Sequence, residues 1–230
     1  MVLRAAESGD DWVEALCGPV AEALLGLDLP GVCLNVRDAP VRDSLMTLTT
    51  LDPPVQAVVS LWSQSYYGNQ ISSALDLLAA QCQTASAYLV TESVPMPPPA
   101  SAAGVRAAGL ANVALLRRPT GLDEATWLTR WHRDHTPVAI ATQSTFGYVQ
   151  NSVVRPLTDG APPLAGIVEE LFPIEAVGSL HAFFGAADDA DLADRMARMI
   201  ASTSRFGANA DVDTVPTGRY VFRDPFRALG

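Results

Sequence analysis

The chain repeats its punctuation, and that constrains its fold more than any other feature. Pro53-Pro54 precedes the run Val55-Gln56-Ala57-Val58-Val59-Ser60-Leu61-Trp62, and Pro162-Pro163 precedes Leu164-Ala165-Gly166-Ile167-Val168-Glu169-Glu170-Leu171-Phe172. Each pair of prolines opens a strand-like run that ends on an aromatic residue. Further back, Gly31-Val32-Cys33-Leu34-Asn35-Val36 matches Gly147-Tyr148-Val149-Gln150-Asn151-Ser152, and Pro19-Val20-Ala21 matches Pro137-Val138-Ala139. The stretch before those prolines opens at Asp10-Asp11-Trp12 in one copy and at Asp123-Glu124-Ala125 in the other. No landmark convinces alone, but all fall in one order. A chain of 230 residues has room for two units of about 100 residues each. The reading is one unit present twice.

Between the copies lies Pro95-Met96-Pro97-Pro98-Pro99-Ala100-Ser101-Ala102-Ala103-Gly104. Proline at this density favours an extended, semi-rigid connector. The expected segments are therefore 1–94 and 110–230, with a Pro/Ala-rich linker at 95–109.

The second copy is the easier to read. Residues 112–118 are short and apolar, between Gly109 and Pro119, and predict a strand. Asp123 suits an N-cap, and the helix it opens is expected to run to about His135 and to weaken or turn at Pro137. Residues 145–154 and 164–172 predict two more strands. Leu192, Met196, Met199 and Ile200 share one face of a helix over 188–205. Residues 214–222 give a last strand, which Pro216-Thr217-Gly218 threatens to break. The first copy fits the same order, with helices near 11–25 and 69–83 and a short opening strand at 2–5. The order β-α-β-β-α-β is the ferredoxin-like arrangement within the α+β class. Its helices cover one sheet face only, so the other face needs a partner sheet. A covalent tandem supplies one within the chain, and a homo-oligomer, expected to be a dimer, adds further layers.

Composition narrows the function. Net charge is −10, so a nucleic-acid partner is not expected, since phosphate binding needs a basic face. No apolar run approaches the roughly 18 residues that span a bilayer, and the acidic start (Glu7, Asp10, Asp11) is unlike a secretory signal. A cytoplasmic protein without a membrane partner is expected. All fifteen basic residues are arginine, which excludes Schiff-base lysines and lysine-dependent phosphate loops and points to a GC-rich bacterial genome. Cys17, Cys33 and Cys82 are widely spaced and odd in number, which suits three reduced thiols better than disulfides or zinc. Neither GxSxG nor GxGxxG occurs.

The most informative run is Trp127-Leu128-Thr129-Arg130-Trp131-His132-Arg133-Asp134-His135-Thr136-Pro137, followed by Phe146-Gly147-Tyr148-Val149-Gln150-Asn151. An aromatic, then Trp, then His-x-Pro, then a Gly-Tyr strand ending in Asn resembles the EthD family over residues 110–222. The resemblance implies the dimeric α+β-barrel fold, with two ferredoxin-like units in tandem. It implies little about activity, because this superfamily spans cofactor-free isomerases and cyclases, small monooxygenases and haem enzymes. The first copy departs from the motif: Val13 stands opposite Trp131, Cys17 opposite His135 and Val32 opposite Tyr148.

Trp127, Trp131 and His135 recur at i, i+4 and i+8 and share a helix face. An imidazole beside two indoles is expected to stay neutral and basic. His135 and Tyr148 are the candidate catalytic pair, one to take a proton from a carbon acid and the other to hold the enolate. Trp127, Trp131, His132, Asn151, Glu169 and Glu170 are candidate substrate-binding residues. Consecutive strand residues face opposite ways, so Tyr148 and Gln150 line one face of their strand and Val149 and Asn151 the other. Which face lines a cavity is open at this point. No metal and no cofactor are expected, since His132 and His135 lack a third ligand. The expected function is the binding of a small apolar, carbonyl-bearing molecule, with acid–base chemistry upon it in bacterial catabolism or secondary metabolism. Two alternatives stand beside it: a non-catalytic binding or assembly protein whose histidines are structural, and a haem protein using His181 or His135.

Overall fold

The structure is a computed structural model that describes residues 1–226; the last four residues of the second expected segment lie outside them. Strand β1 (Val2–Arg4) leads into helix α1, whose segments Asp10–Ala15 and Ala21–Leu25 are joined by a π-helical stretch, Leu16–Val20. Strands β2 (Gly31–Val36) and β3 (Val55–Trp62), helix α2 (Asn69–Ala79) and strand β4 (Thr84–Ser86) follow. After β5 (Tyr88–Met96) the pattern recurs. Strand β6 (Leu110–Leu116) precedes helix α3, made of Glu124–Leu128, a π-helical Thr129–His135 and Thr136–Thr142. Then come β7 (Gly147–Pro156), β8 (Gly166–Phe172), helices α4 (Leu180–Phe184) and α5 (Asp189–Ser204), and β9 (Asp213–Arg223).

The strands form one antiparallel sheet in the order β4-β1-β3-β2-β9-β6-β8-β7-β5. β1–β4 therefore lie in the order 4-1-3-2, and β6–β9 repeat that order within their own set. The two outermost strands, β4 and β5, are separated in the chain by Ala87 alone. The chain thus passes directly from one end of the sheet to the other, and the sheet closes on itself. The covalent link makes this closure: among the described residues β4 pairs only with β1 and β5 only with β7. β9 joins the halves in the same manner. Asp213–Thr217 pair with β6, and Gly218–Arg223 pair with β2.

Helices cover the outside and apolar side chains fill part of the inside. Leu16, Leu24, Ile71 and Leu78 of α1 and α2 pack on Leu3, Leu34 and Val59 in a wholly apolar layer. On the second half, Trp127, Trp131 and Ala139 of α3 pack with Tyr148, Val168 and Phe206. The inner face carries a third cluster built only from strands and loops of both halves, including Val2, Val58, Val113, Ile167 and Val215. This cluster supplies the burial that a one-sided sheet lacks.

Three departures from the sequence reading have local causes. Helix α3 does not stop near His135 but continues to Thr142. Its π-helical turn has already given up the i→i−4 bond that Pro137 cannot make, so the proline is tolerated. α1 uses the same device at Pro19. β9 is unbroken at Pro216 because the strand there is paired with β6 but not with β2, a one-sided setting that proline accepts. Finally, residues 88–96 form a strand, so the expected boundary after residue 94 falls inside it; Met96 still pairs with Tyr148. The rest of the connector is pinned by Arg106, whose guanidinium Nε donates to Asp38 at 2.6 Å.

Gly166 shows how tightly the second half is packed. A Cβ there would sit 2.6 Å from the Trp131 ring and 3.2 Å from Trp127. Both rings are fully buried and cannot swing aside. Gly166→Ala is expected to destabilise the fold by about 1–3 kcal/mol, read as a lowered urea midpoint. An unchanged midpoint would show that the indole pair has slack.

Candidate functional site

The closed sheet divides the expected site residues between two places. β7 and β8 alternate, so Tyr148, Gln150, Val168 and Glu170 face the helices, while Val149, Asn151, Ile167 and Glu169 face the interior. Trp127, Trp131, His132, Tyr148 and Glu170 share the layer between α3 and the sheet, and His135 packs from α3 towards α5. Asn151 and Glu169 lie on the sheet's other side.

The helix-facing layer is dense with buried polar groups. Tyr148 and Glu170 are directly opposed across β7 and β8, and Glu170 is opposed to Asn112 on β6. All three side chains are buried. Glu170 has no cation beside it among the described residues, and burial pushes its carboxyl up to about 8. It is therefore a neutral acid at physiological pH. Gln143 completes it: with its amide nitrogen turned inward, it donates to Glu170 Oε1 at 3.0 Å and to the Ala139 carbonyl at 3.2 Å. Burial, and then the neighbouring Glu170, raise the Tyr148 phenol well above its ordinary value, while Gln150, Trp131 and Thr136 oppose the rise. Gln150 Nε2 donates to Thr136 Oγ1 at 2.8 Å, and Thr136 Oγ1 donates to the Trp131 carbonyl at 3.1 Å.

His135 is held in the opposite state. Burial pushes its imidazole down to about 4, so the ring is neutral at pH 7. Its Nδ1 is 3.0 Å from Ser202 Oγ on α5, and its ring lies 4.9 Å from that of Phe206. Burial also lowers His132, whose Nε2 is 3.1 Å from Ser152 Oγ. Trp127 Nε1 donates to the Phe206 carbonyl at 3.0 Å, and its ring is 4.9 Å from Trp131. Asn112 Oδ1 is buried without a hydrogen-bond partner. His135, Gln143, Thr145 and Glu170 retain 6–8 % exposure each, and the His132–Ser152 pair is only half-buried.

The same layer of the first half has none of this chemistry. Register places Val32 and Leu61 opposite one another where Tyr148 and Glu170 stand in the second half. Both belong to the aliphatic layer under α1 and α2.

No family model matches the chain, and no curated protein does. Among solved structures it is similar to one described as a "putative monooxygenase from Lactobacillus acidophilus NCFM", at 9 % identity and a TM-score of 0.48, over 96 % of this chain and 95 % of that one.

Neither His135 nor Tyr148 lines two cavities that lie beside β3, β5 and β7. Those cavities, of about 570 and 280 Å³, share Ser60, Trp62, Glu92, Asn151 and Phe226 as walls. The polar floor of the smaller one is Glu169, which accepts from Arg219 Nε and, at 2.8 Å, from Asn35 Nδ2. Burial, reinforced by Glu169, raises the Glu92 carboxyl. His181 lies elsewhere, half-exposed on α4, with Nε2 3.0 Å from Asp189. Among the described residues no three His, Cys, Asp or Glu side chains converge as metal ligands, and no helix is long and apolar enough to cross a membrane.

Sequence reasoning missed Asn112, Gln143 and Thr136 in the helix-facing layer, and Glu92, Arg219 and Asn35 inside the sheet. Asn112 carried a signal: it is the one polar residue in the run Leu110–Leu116. Glu92 carried none, because β5 reads as part of a proline-rich tail.

Proposed function

We propose that this chain is an EthD-like protein of the dimeric α+β-barrel type, with two ferredoxin-like units in tandem, and that it binds a small, largely apolar, carbonyl-bearing molecule in its second half, beside the polar groups between α3 and the sheet. The repeated 4-1-3-2 strand order supports the tandem reading. The work is proton transfer without a cofactor: His135 takes a proton from the carbon next to the carbonyl, and Glu170 and Tyr148 donate hydrogen bonds to the oxygen as charge develops.

One observation carries the reading. A carboxyl held protonated and an imidazole held neutral both lie buried in the second half, where burial has driven them in opposite directions. Groups pushed apart in this way supply an acid and a base at the same pH. The first half, which keeps the strand order and loses the chemistry, acts as the scaffold that completes the closed sheet.

The test uses aryl ketones as probes in deuterated buffer, with exchange at the α-carbon followed by proton NMR. The wild-type chain is expected to catalyse exchange, and Tyr148→Phe to slow it about 10²-fold through loss of one donor to the oxyanion. Exchange no faster than buffer, or a Tyr148→Phe rate equal to wild type, would overturn the proposal.

A further inference from the structure

The interior of the closed sheet holds a second feature that the proton-transfer reading does not use. β2 and β7 occupy the same place in their respective halves, and Asn35 and Asn151 occupy the same place on them. Their neighbours across the junctions are Arg219, opposite Asn35, and Glu92, opposite Asn151. The next position in each half also corresponds: Glu169 is opposite Val149 on β7, and Ser60 is opposite Cys33 on β2. Arg219 therefore has a counterpart of opposite charge in Glu92. Glu169, the carboxylate that neutralises Arg219, has its counterpart in Ser60, a small hydroxyl.

This substitution leaves the two junctions unequal. On the Arg219 side the charges are matched, with Glu169 bonded to both Arg219 and Asn35. On the Glu92 side the symmetry-related position offers no cation, and the carboxylate makes no ion pair or hydrogen bond among the described residues. Arg219, the nearby guanidinium, is already committed to Glu169. A carboxylate in a partly desolvated cavity calls for a positive partner. Space is present where that partner belongs, because both cavities meet at Ser60, Glu92 and Asn151. The larger cavity continues from there to an aromatic mouth formed by Trp62, Tyr66, Tyr67, Tyr88 and Phe226, surfaces that attract cations and apolar rings alike.

We infer that the sheet interior is a binding site for a primary amine with an aromatic or apolar body, its ammonium received by Glu92, Ser60 and Asn151 and its body by the aromatic mouth. This site is separate from the one between α3 and the sheet. It takes groups from both halves, which gives the tandem a role beyond scaffolding.

Isothermal titration of the full chain tests the assignment, with 2-phenylethylamine as the probe and 2-phenylethanol as its neutral match. The amine is expected to bind about tenfold more tightly than the alcohol, the effect of one partly screened ion pair. Glu92→Gln is expected to erase that preference, and Glu170→Gln to leave it intact. Acidification that protonates Glu92 is expected to weaken amine binding, with Glu169, Arg219, Arg223 and Asp224 the charged groups around it. An amine that binds no better than the alcohol, or a Glu92→Gln chain that keeps the preference, overturns the assignment. Because the wild-type comparison needs no variant, a misfolded Glu92→Gln chain leaves the test intact. Ketone exchange that fails while amine selectivity holds would remove only the proton-transfer reading.

Discussion

Arg219→Met is expected to destabilise the fold by about 3–5 kcal/mol, because it leaves the Glu169 carboxylate buried without its cation. Both side chains are largely sealed from water, at 14 % and 9 % exposure. Burial opposes the guanidinium's charge, yet Glu169 overrides that and holds Arg219 above its ordinary value. The pair also ties three strands together: Arg219 comes from β9, Glu169 from β8 and Asn35 from β2. Loss of the cation should therefore loosen the junction between the halves as well as the ion pair. The double variant Arg219→Met with Glu169→Leu should recover most of the loss, since an apolar pair needs no desolvation of charge. Urea unfolding of the wild type, the single variant and the double variant reads both effects. A single variant within 1 kcal/mol of wild type would show that solvent reaches Glu169 after all.

The order of elements along each half follows from periodicity and punctuation. Gly31, Gly147 and the proline pairs bound runs whose alternation or apolar content suits one sheet face. What the sequence conceals is the closure. β5 contains Pro95 and follows β4 after a single residue; its strand character comes from pairing with β7, a contact that local propensity does not encode. Glu92 was hidden with it. Likewise, alternation shows that Glu169 and Glu170 face opposite ways but not which way. The closed sheet decides this, sending Glu169 to Arg219 and Glu170 to the helices.

The aromatic–histidine run was legible for a different reason. Helical spacing alone places Trp127, Trp131 and His135 on one face, and burial of that face follows from its apolar content. The neutral state expected for His135 agrees with a ring pushed down to about 4 by burial. The acid that balances it was not legible. Glu170 looks like any strand carboxylate until tertiary structure removes its water and supplies no arginine in return.

That removal sets a pH signature on which the proton-transfer reading stands or falls. Exchange at the ketone probe requires Glu170 protonated and His135 unprotonated. The rate is expected to fall above about 8, as Glu170 ionises, and below about 4, as His135 gains a proton. Glu170→Gln keeps the shape but replaces the acid O–H with a weaker amide donor to the oxyanion. It should lower the rate by about 10²-fold and abolish the alkaline limb. Stability moves the other way, and the sign separates chemistry from damage. The folded Glu170 carboxyl stands at about 8 against an ordinary 4.5, so its contribution is fully present below 4.5 and is lost as pH rises through 8. His135 is depressed from 6.5 to about 4, so its contribution is present above 6.5 and is lost as pH falls through 4. Glu170→Gln removes the first dependence alone. It should melt higher than wild type at pH 8, by an amount that shrinks towards pH 5, while losing its catalysis. A variant that is slower and also less stable at pH 8 would mean that Glu170 holds the layer together as a carboxylate, and the assignment of acid and base would have to be abandoned.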